Sequence, residues 1–253
     1  MAEEMSIETY LARGGVLTSP ANVPPRYRAE LMKLMATFVD SELAGAAGFA
    51  DIINQGPGIK ERIAAARIVL EKTDHAERVL RIMGEFGADT ARYDQSHPWT
   101  ARLARTADIG ASRGEHDMRL SVFNYPLEGW ADAVVMNLIM GRAVGVQLQE
   151  FAMVSYQPLA EAFRAIAPVE ARHAELAEEG LARLIATEDR ARLQASVDYW
   201  WPRVAASFGS GDPRKLKQLQ ALGLRRQAND QLRNRWAAET AAVLDRLGLT
   251  PPG

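Results

Sequence analysis

The chain has 253 residues, 47% apolar and 25% charged, ordinary proportions for a globular protein and enough length for one large core. A formal net charge of −2 gives no general electrostatic reason to expect nucleic acid, and the absence of cysteine excludes disulfides, thiolate metal sites and cysteine nucleophiles. The acidic start Met1-Ala2-Glu3-Glu4 lacks the pattern of a secretory leader, and the longest apolar run, Ala131 to Met140, is broken by Asp132 and Asn137, so a soluble cytoplasmic protein with no membrane contact is expected.

Residues 1–25, with Gly14-Gly15 and three prolines, read as an N-terminal arm, and residues 26–253 as a single helical domain. A first helix is predicted from about Arg26. Leu31, Leu34, Met35, Phe38 and Leu43 recur at helical spacing, with Glu42 on or beside their stripe and a stop at Gln55-Gly56-Pro57-Gly58. A second is predicted from Ile59 to Phe86, closed by Gly87, with Glu71, Lys72 and His75 at its middle. Residues 88–125 show no sustained period. A short helical piece is expected at Ala101 to Ala107, and His97 and His116 fall in loop-like sequence. A connection this long fits the crossover that joins parallel helices in a ferritin-like bundle.

The third predicted helix, Leu127 to Tyr156, is nearly apolar throughout and should be the most buried. The fourth runs from Pro158 to Leu184, and Pro168 inside it is expected to kink or bulge it. Two C-terminal helices follow, Glu188 to Ser207 and Asn229 to Leu247, with a short segment at Pro213 to Leu222 between them. Strand signals are almost absent. The predicted fold is all-α, a ferritin-like four-helix bundle with additional C-terminal helices.

Chemistry concentrates on the bundle helices. Glu170 and His173, three residues apart, share one helix face, the spacing that di-iron carboxylate bundles use for a metal-binding pair. Glu42 from the first helix and His75 from the second can face them. Carboxylates and imidazoles without sulfur suit iron or manganese, and a single-metal set of His75, Glu170 and His173 is a further possibility. Against a single acid, Asp230, the stretch 213–235 carries Arg214, Lys215, Lys217, Arg225 and Arg226 among its cations. That surface suits the phosphates of a CoA thioester or an acidic partner, or is a solvated helix face. Trp200-Trp201 is read as core packing, and Tyr156 as packing or a site-adjacent phenol.

Longer motifs carry a resemblance. Ser121-Val122-Phe123-Asn124-Tyr125-Pro126, Trp130-Ala131-Asp132, Ser155-Tyr156, Tyr199-Trp200-Trp201-Pro202 and Asn229-Asp230-Gln231-Leu232-Arg233 resemble the phenylacetic acid catabolism family of ferritin-like di-iron oxygenases, in particular its phenylacetyl-CoA epoxidase catalytic subunits. The resemblance implies two iron ions, an aromatic acyl-CoA substrate, a separate reductase, and a homo- or hetero-oligomer of related helical subunits. It implies metal ligands at Glu42, at position 72 with His75, at position 141, and at Glu170 with His173. Position 72 is Lys72 and position 141 is Gly141, so four of six ligands match. Glu71 is a substitute ligand if the helix bulges, lying about 40° to one side of His75 where position 72 lies about 60° to the other. Asn137, one turn before Gly141, is the nearest polar group. Arg119 would assist CoA binding by the same resemblance. The alternative is a metal-free scaffold or partner subunit in which Lys72 replaces the metals by ion pairing with Glu42 and Glu170.

Overall fold

In the computed structural model the described residues are 5–96, 98–113 and 118–252. They form the helices α1 (Ile7–Ala12), α2 (Pro25–Ile52), α3 (Ile59–Glu85), α4 (Thr90–Ser96), α5 (Trp130–Phe151), α6 (Gln157–Leu184), α7 (Arg190–Ala206), α8 (Pro213–Ala221) and α9 (Asn229–Arg246). The only β feature among them is an isolated bridge between Leu17 and Tyr156. The all-α expectation therefore holds.

Four long helices build the bundle as two hairpins, α2 with α3 and α5 with α6. Pro25 and Pro158 sit in the first turns of α2 and α6, where the missing N–H costs nothing. Gly87 closes α3 at φ +84°, the left-handed conformation glycine adopts without a Cβ penalty. Leu127 and Ala133 pack with Phe49, Ile52 and Ile68, so α5 begins beside the end of α2 and the first half of α3. Hence α3 and α5 run parallel, and residues 86–129 make the crossover that a ferritin-like chain requires.

Several boundaries differ from the sequence reading, each for a visible reason. The third bundle helix, expected over Leu127–Tyr156, is shorter at both ends. Glu128 N–H donates to Asp132 just before the helix, and at its other end the Ser155 and Gln157 amides bond to Gly223 O and Leu17 O. The arm and the α8–α9 loop thus claim the backbone that would have continued it. The segment Ala101–Ala107 is not helical, because Leu103 N–H donates to Asn124 O and the chain there is pinned by tertiary bonds. α4 was not anticipated. Its signal is Asp89, whose Oδ1 accepts from Arg92 N–H as a helix cap does. α6 continues unbroken past Pro168. His97 and His116 lie outside the described residues.

α5 has the length and hydropathy of a membrane span, but 78% of that window is buried inside the protein, as in a core helix. It contacts α6, α7 and α9. One large apolar cluster surrounds it and includes Trp200 and Trp236. A second joins α2, α3 and the first half of α6.

Candidate functional site

Five charged or ionisable side chains from α2, α3 and α6 meet inside the bundle, all nearly sealed from solvent. Glu42 comes from α2, Lys72 and His75 from α3, and Glu170 and His173 from α6. The spacing 72 to 75 and 170 to 173 puts each pair on an inward face one turn apart. Buried charge at this density persists only if each charge is paired.

Lys72 supplies much of the pairing. Its Nζ donates to both carboxylate oxygens of Glu170 at 3.0 Å and lies 3.3 and 3.5 Å from those of Glu42. His75 Nδ1 bridges the same two carboxylates, 3.3 Å from Glu42 and 3.1 Å from Glu170. Burial alone would pull the His75 pKa down, but Glu170 and Glu42 more than reverse this and raise it to about 9. Burial likewise opposes the charge on Lys72, and the same carboxylates hold its pKa above the ordinary lysine value. Two carboxylates thus face an ammonium and an imidazole that they hold toward its protonated form.

His173 closes the site toward the surface. Its Nε2 lies 2.6 Å from Glu71 Oε2, whose side chain is 34% exposed. Its Nδ1 is 3.3 Å from Glu170 Oε1, too poorly aligned for a hydrogen bond, and has no other partner among the described residues. Asn137 on α5 donates to His173 O at 3.4 Å. Glu71 therefore reaches the centre through His173, from an α3 that shows no interruption, rather than by turning in beside His75. One donor atom from each of Glu42, His75 and Glu170 lies within 4.8 Å of the others, a spacing that can hold an ion, yet Lys72 Nζ sits against both carboxylates.

Gly141 faces α6 at close range. A Cβ built there would come 3.1 Å from the Ala174 Cβ and 3.3 Å from its Cα. The absent side chain allows α5 and α6 to approach closely. An acidic side chain would need the helices to separate.

A cavity of about 330 Å³ reaches the centre from the side of α2 and α5. Glu42 contributes to its wall, and Leu34, Phe38, Met140, Leu148 and Phe151 make it largely apolar. Lys33, Arg113, Arg225 and Asn229 add polar and cationic groups. Arg225 is held by Gln147 Oε1 at 2.9 Å and Asn229 Oδ1 at 2.6 Å. Of the other cations singled out by sequence, Lys215 pairs with Glu30 at 2.6 Å, while Arg214, Lys217 and Arg226 are exposed. Arg119 is 1% exposed and its guanidinium donates to the carbonyls of Pro98, Trp99 and Ala101, which ties it to the crossover.

The aromatic motifs also have structural work. Asp132 accepts from both Arg105 nitrogens at 2.8 Å, from Ser196 at 2.8 Å, from Trp200 Nε1 at 2.9 Å and from the Glu128 amide at 2.9 Å. Arg105 lies 3.7 Å above the Tyr199 ring. Trp201 stacks on Trp236 at 4.6 Å, and Tyr156 packs on Phe86. Sequence reasoning did not find this hub or the cavity. A charged residue inside the most apolar helix was the available signal for the first, since such a residue must be satisfied from elsewhere in the fold. The cavity is lined by residues far apart in the chain and leaves no local signal.

Residues 8–253 match the family described as phenylacetic acid catabolic protein. The chain is also 25% identical, over 258 aligned residues, to a 1,2-phenylacetyl-CoA epoxidase subunit of Escherichia coli (strain K12), an alignment covering 100% of this chain and 78% of that protein. With the match running from α1 to the C-terminus, the chain belongs to the phenylacetic acid catabolic protein family.

Proposed function

We propose that this protein is a metal-free subunit of a phenylacetyl-CoA epoxidase-like system, keeping the helical frame and an acyl-sized cavity while its centre is held by ion pairs. The observation that carries the reading is the Lys72 ammonium lodged between Glu42 and Glu170, 3.0 Å from the latter. Two iron ions do not fit this donor set. An ammonium repels a divalent cation and occupies its place against both carboxylates, and position 141 offers neither a donor nor room for one. Its role is then to bind and to assemble, alongside related helical subunits and a reductase, without oxygen chemistry of its own.

The cavity supports an amphipathic ligand. Its apolar wall suits an aromatic acyl group, and Lys33, Arg113 and Arg225 suit the anionic remainder of a CoA thioester outside it. Elemental analysis of protein expressed with iron and manganese supplied tests the centre. No stoichiometric metal is expected, and stoichiometric iron or manganese, whether one ion or two per chain, overturns the reading. The Lys72→Glu variant locates the cause: it should gain affinity for divalent metal that the wild type lacks.

A further inference from the structure

The cavity beside the centre has one edge that is barely attached to the rest of the fold. Phe38, Met140 and Leu148 in its wall are buried, whereas Lys33, Leu219 and Arg225 are partly or fully exposed, so the mouth lies between α2 and the segment that carries α8. From Gly209 through Ala221 no residue of that segment is buried, although Phe208 and Leu222 at its two ends are 3% and 0% exposed. α1, which lies against α8, has no buried residue either. A short helix without a buried face draws little stability from packing, and such elements are the parts of a fold that open at low cost.

The two ends of this segment are held unequally. At the C-terminal end, Ser155 N–H donates to Gly223 O at 2.9 Å and Ser155 Oγ to Leu222 O at 2.6 Å, while the Arg226 and Gln227 amides donate to buried Glu150. At the other end stand Gly209, at φ +75°, Ser210 and Gly211, tied to α9 by Asn229 Nδ2 donating to Ser210 O at 3.2 Å. A Cβ at Gly211 would meet nothing within 4 Å, so this stretch stands clear of its neighbours. Between the ends, Glu30 on α2 clasps α8. It pairs with Lys215 Nζ at 2.6 Å and accepts from Gln218 Nε2 at 3.4 Å, and Leu219 of the same helix lines the cavity.

We propose that α8 is a hinged cover on the cavity, fixed at the Ser155–Gly223 joint, flexing at Gly209–Gly211 and latched shut by Glu30. The inference rests on the cavity being a site for an amphipathic anion and adds how that ligand enters and leaves. Hinges are commonly a few residues at the end of an element, where a change in backbone angles disturbs no packing. The latch also suits the ligand. With the cover shut, Glu30 neutralises Lys215 and, at 3.8 Å, Lys33. Opening separates Lys215 from Glu30 at the mouth, beside Arg225, which is held by the amide oxygens of Gln147 and Asn229 rather than by a carboxylate. The movement that widens the mouth thus also frees positive charge there for an anion.

The chain has no cysteine, so a single thiol placed on the cavity wall reports entry. Met140 is 5% exposed, and Met140→Cys can be labelled with dithiobis(nitrobenzoate), an aromatic dianion whose released thionitrobenzoate gives the rate. Leu148→Cys repeats the measurement at a second wall position. Both should react more slowly than Met153→Cys, at a side chain that is 41% exposed. Glu30→Gln should speed labelling of the wall thiols by about fivefold, the factor that loss of a partly exposed ion pair carries. Gly211→Ala should slow it by about threefold, because it restricts the hinge when open at no steric cost when shut. Val197→Cys, buried outside the cavity, should respond to neither substitution. Phenylacetyl-CoA should protect the wall thiols. Labelling that follows the Glu30 and Gly211 substitutions but ignores phenylacetyl-CoA upholds the cover and counts only against the acyl-CoA ligand. Wall thiols that react as fast as Met153→Cys, that react equally in all three backgrounds, or whose Glu30→Gln response is matched at Val197→Cys overturn the cover.

Discussion

Replacing Lys72 with methionine removes the ammonium while keeping the length of the side chain, and should destabilise the protein by about 3–5 kcal/mol. The pair distances are 3.0 Å to Glu170 and 3.3 Å to Glu42. With an effective dielectric of about 20, each contact corresponds to about 5 kcal/mol of attraction. Lost hydration of all three groups offsets most of that sum, so the cost of the variant is set by what it leaves behind: two buried carboxylates facing one imidazole. At about 2–4 °C per kcal/mol for a chain of this size, Tm should fall by about 10 °C. Thermal and urea denaturation followed by circular dichroism measure it. The triple variant Lys72→Met, Glu42→Gln, Glu170→Gln should recover most of the loss, since no buried charge is then unpaired. The pH dependence has a definite sign. Burial would raise the Glu170 carboxyl, but Lys72, His173 and His75 overcome that and hold its pKa well below the ordinary range. Its contribution is complete above the unfolded pKa of about 4.3 and is lost as pH falls through the depressed folded value. The gap between wild type and Lys72→Met should therefore be widest above about pH 5 and narrow in acid. A Lys72→Met protein within about 0.5 kcal/mol of wild type at neutral pH would refute the ion-pair account.

Three further outcomes follow from other sites. Asp132→Asn should cost about 2–4 kcal/mol in urea denaturation, because the buried hub loses a charged acceptor shared by Arg105, Ser196 and Trp200. Burial would raise the Asp132 carboxyl, and its bonds from Arg105, the Glu128 amide and Ser196 bring it below the ordinary value, so this stability is present above about pH 4 and is lost as pH falls through the folded pKa. Gly141→Ala sets two effects against each other. Helix propensity favours alanine by about 1 kcal/mol, whereas a Cβ 3.1 Å from Ala174 Cβ and 3.3 Å from its Cα requires α6 to move, at about 1–3 kcal/mol. Packing should win, giving a net loss that Ala174→Gly relieves non-additively, and a stabilised Gly141→Ala would show that the helices yield freely. Leu34→Trp, which narrows the cavity from α2, should weaken binding of an aromatic acyl-CoA by about tenfold, read as a smaller ligand-induced rise in Tm.

How much of this was legible depended on whether a feature is local. The long helices could be read because Leu31, Met35 and Phe38, or Leu159, Phe163 and Ile166, repeat at a period the backbone dictates. Caps such as Gly87 and Asp189 are likewise local. The ends of α5 were not legible, since Ser155 and Gln157 bond to residues far away in sequence. In the centre, Glu42, Lys72, His75 and Glu170 were identified by residue type and position, and pairing of Lys72 with Glu42 and Glu170 stood as one of two alternatives, whereas the His75 bridge and the distances needed coordinates. For Arg119, nothing in the sequence shows that its guanidinium folds onto three carbonyls of its own chain.

Gly141 and Lys72 are compatible with each other and with a stable bundle, which supports the metal-free reading proposed above. Gly141 lets α5 close on α6 at Ala174, leaving no space there for a carboxylate from the third bundle helix, and Lys72 supplies positive charge between Glu42 and Glu170. Placing an acid at 141 alone would push the helices apart while the ammonium stayed in place. Placing one at 72 alone would gather three buried carboxylates with a single imidazole between them, an arrangement that only an added cation makes tolerable. Glu71 cannot mediate, because its carboxylate is spent on His173 Nε2 at the partly exposed edge of the site, away from the space between Glu42 and Glu170. The cavity and hub, by contrast, depend on neither position. On the metal-free reading proposed above, the helical frame and the apolar space beside Glu42 persist without metal at the centre.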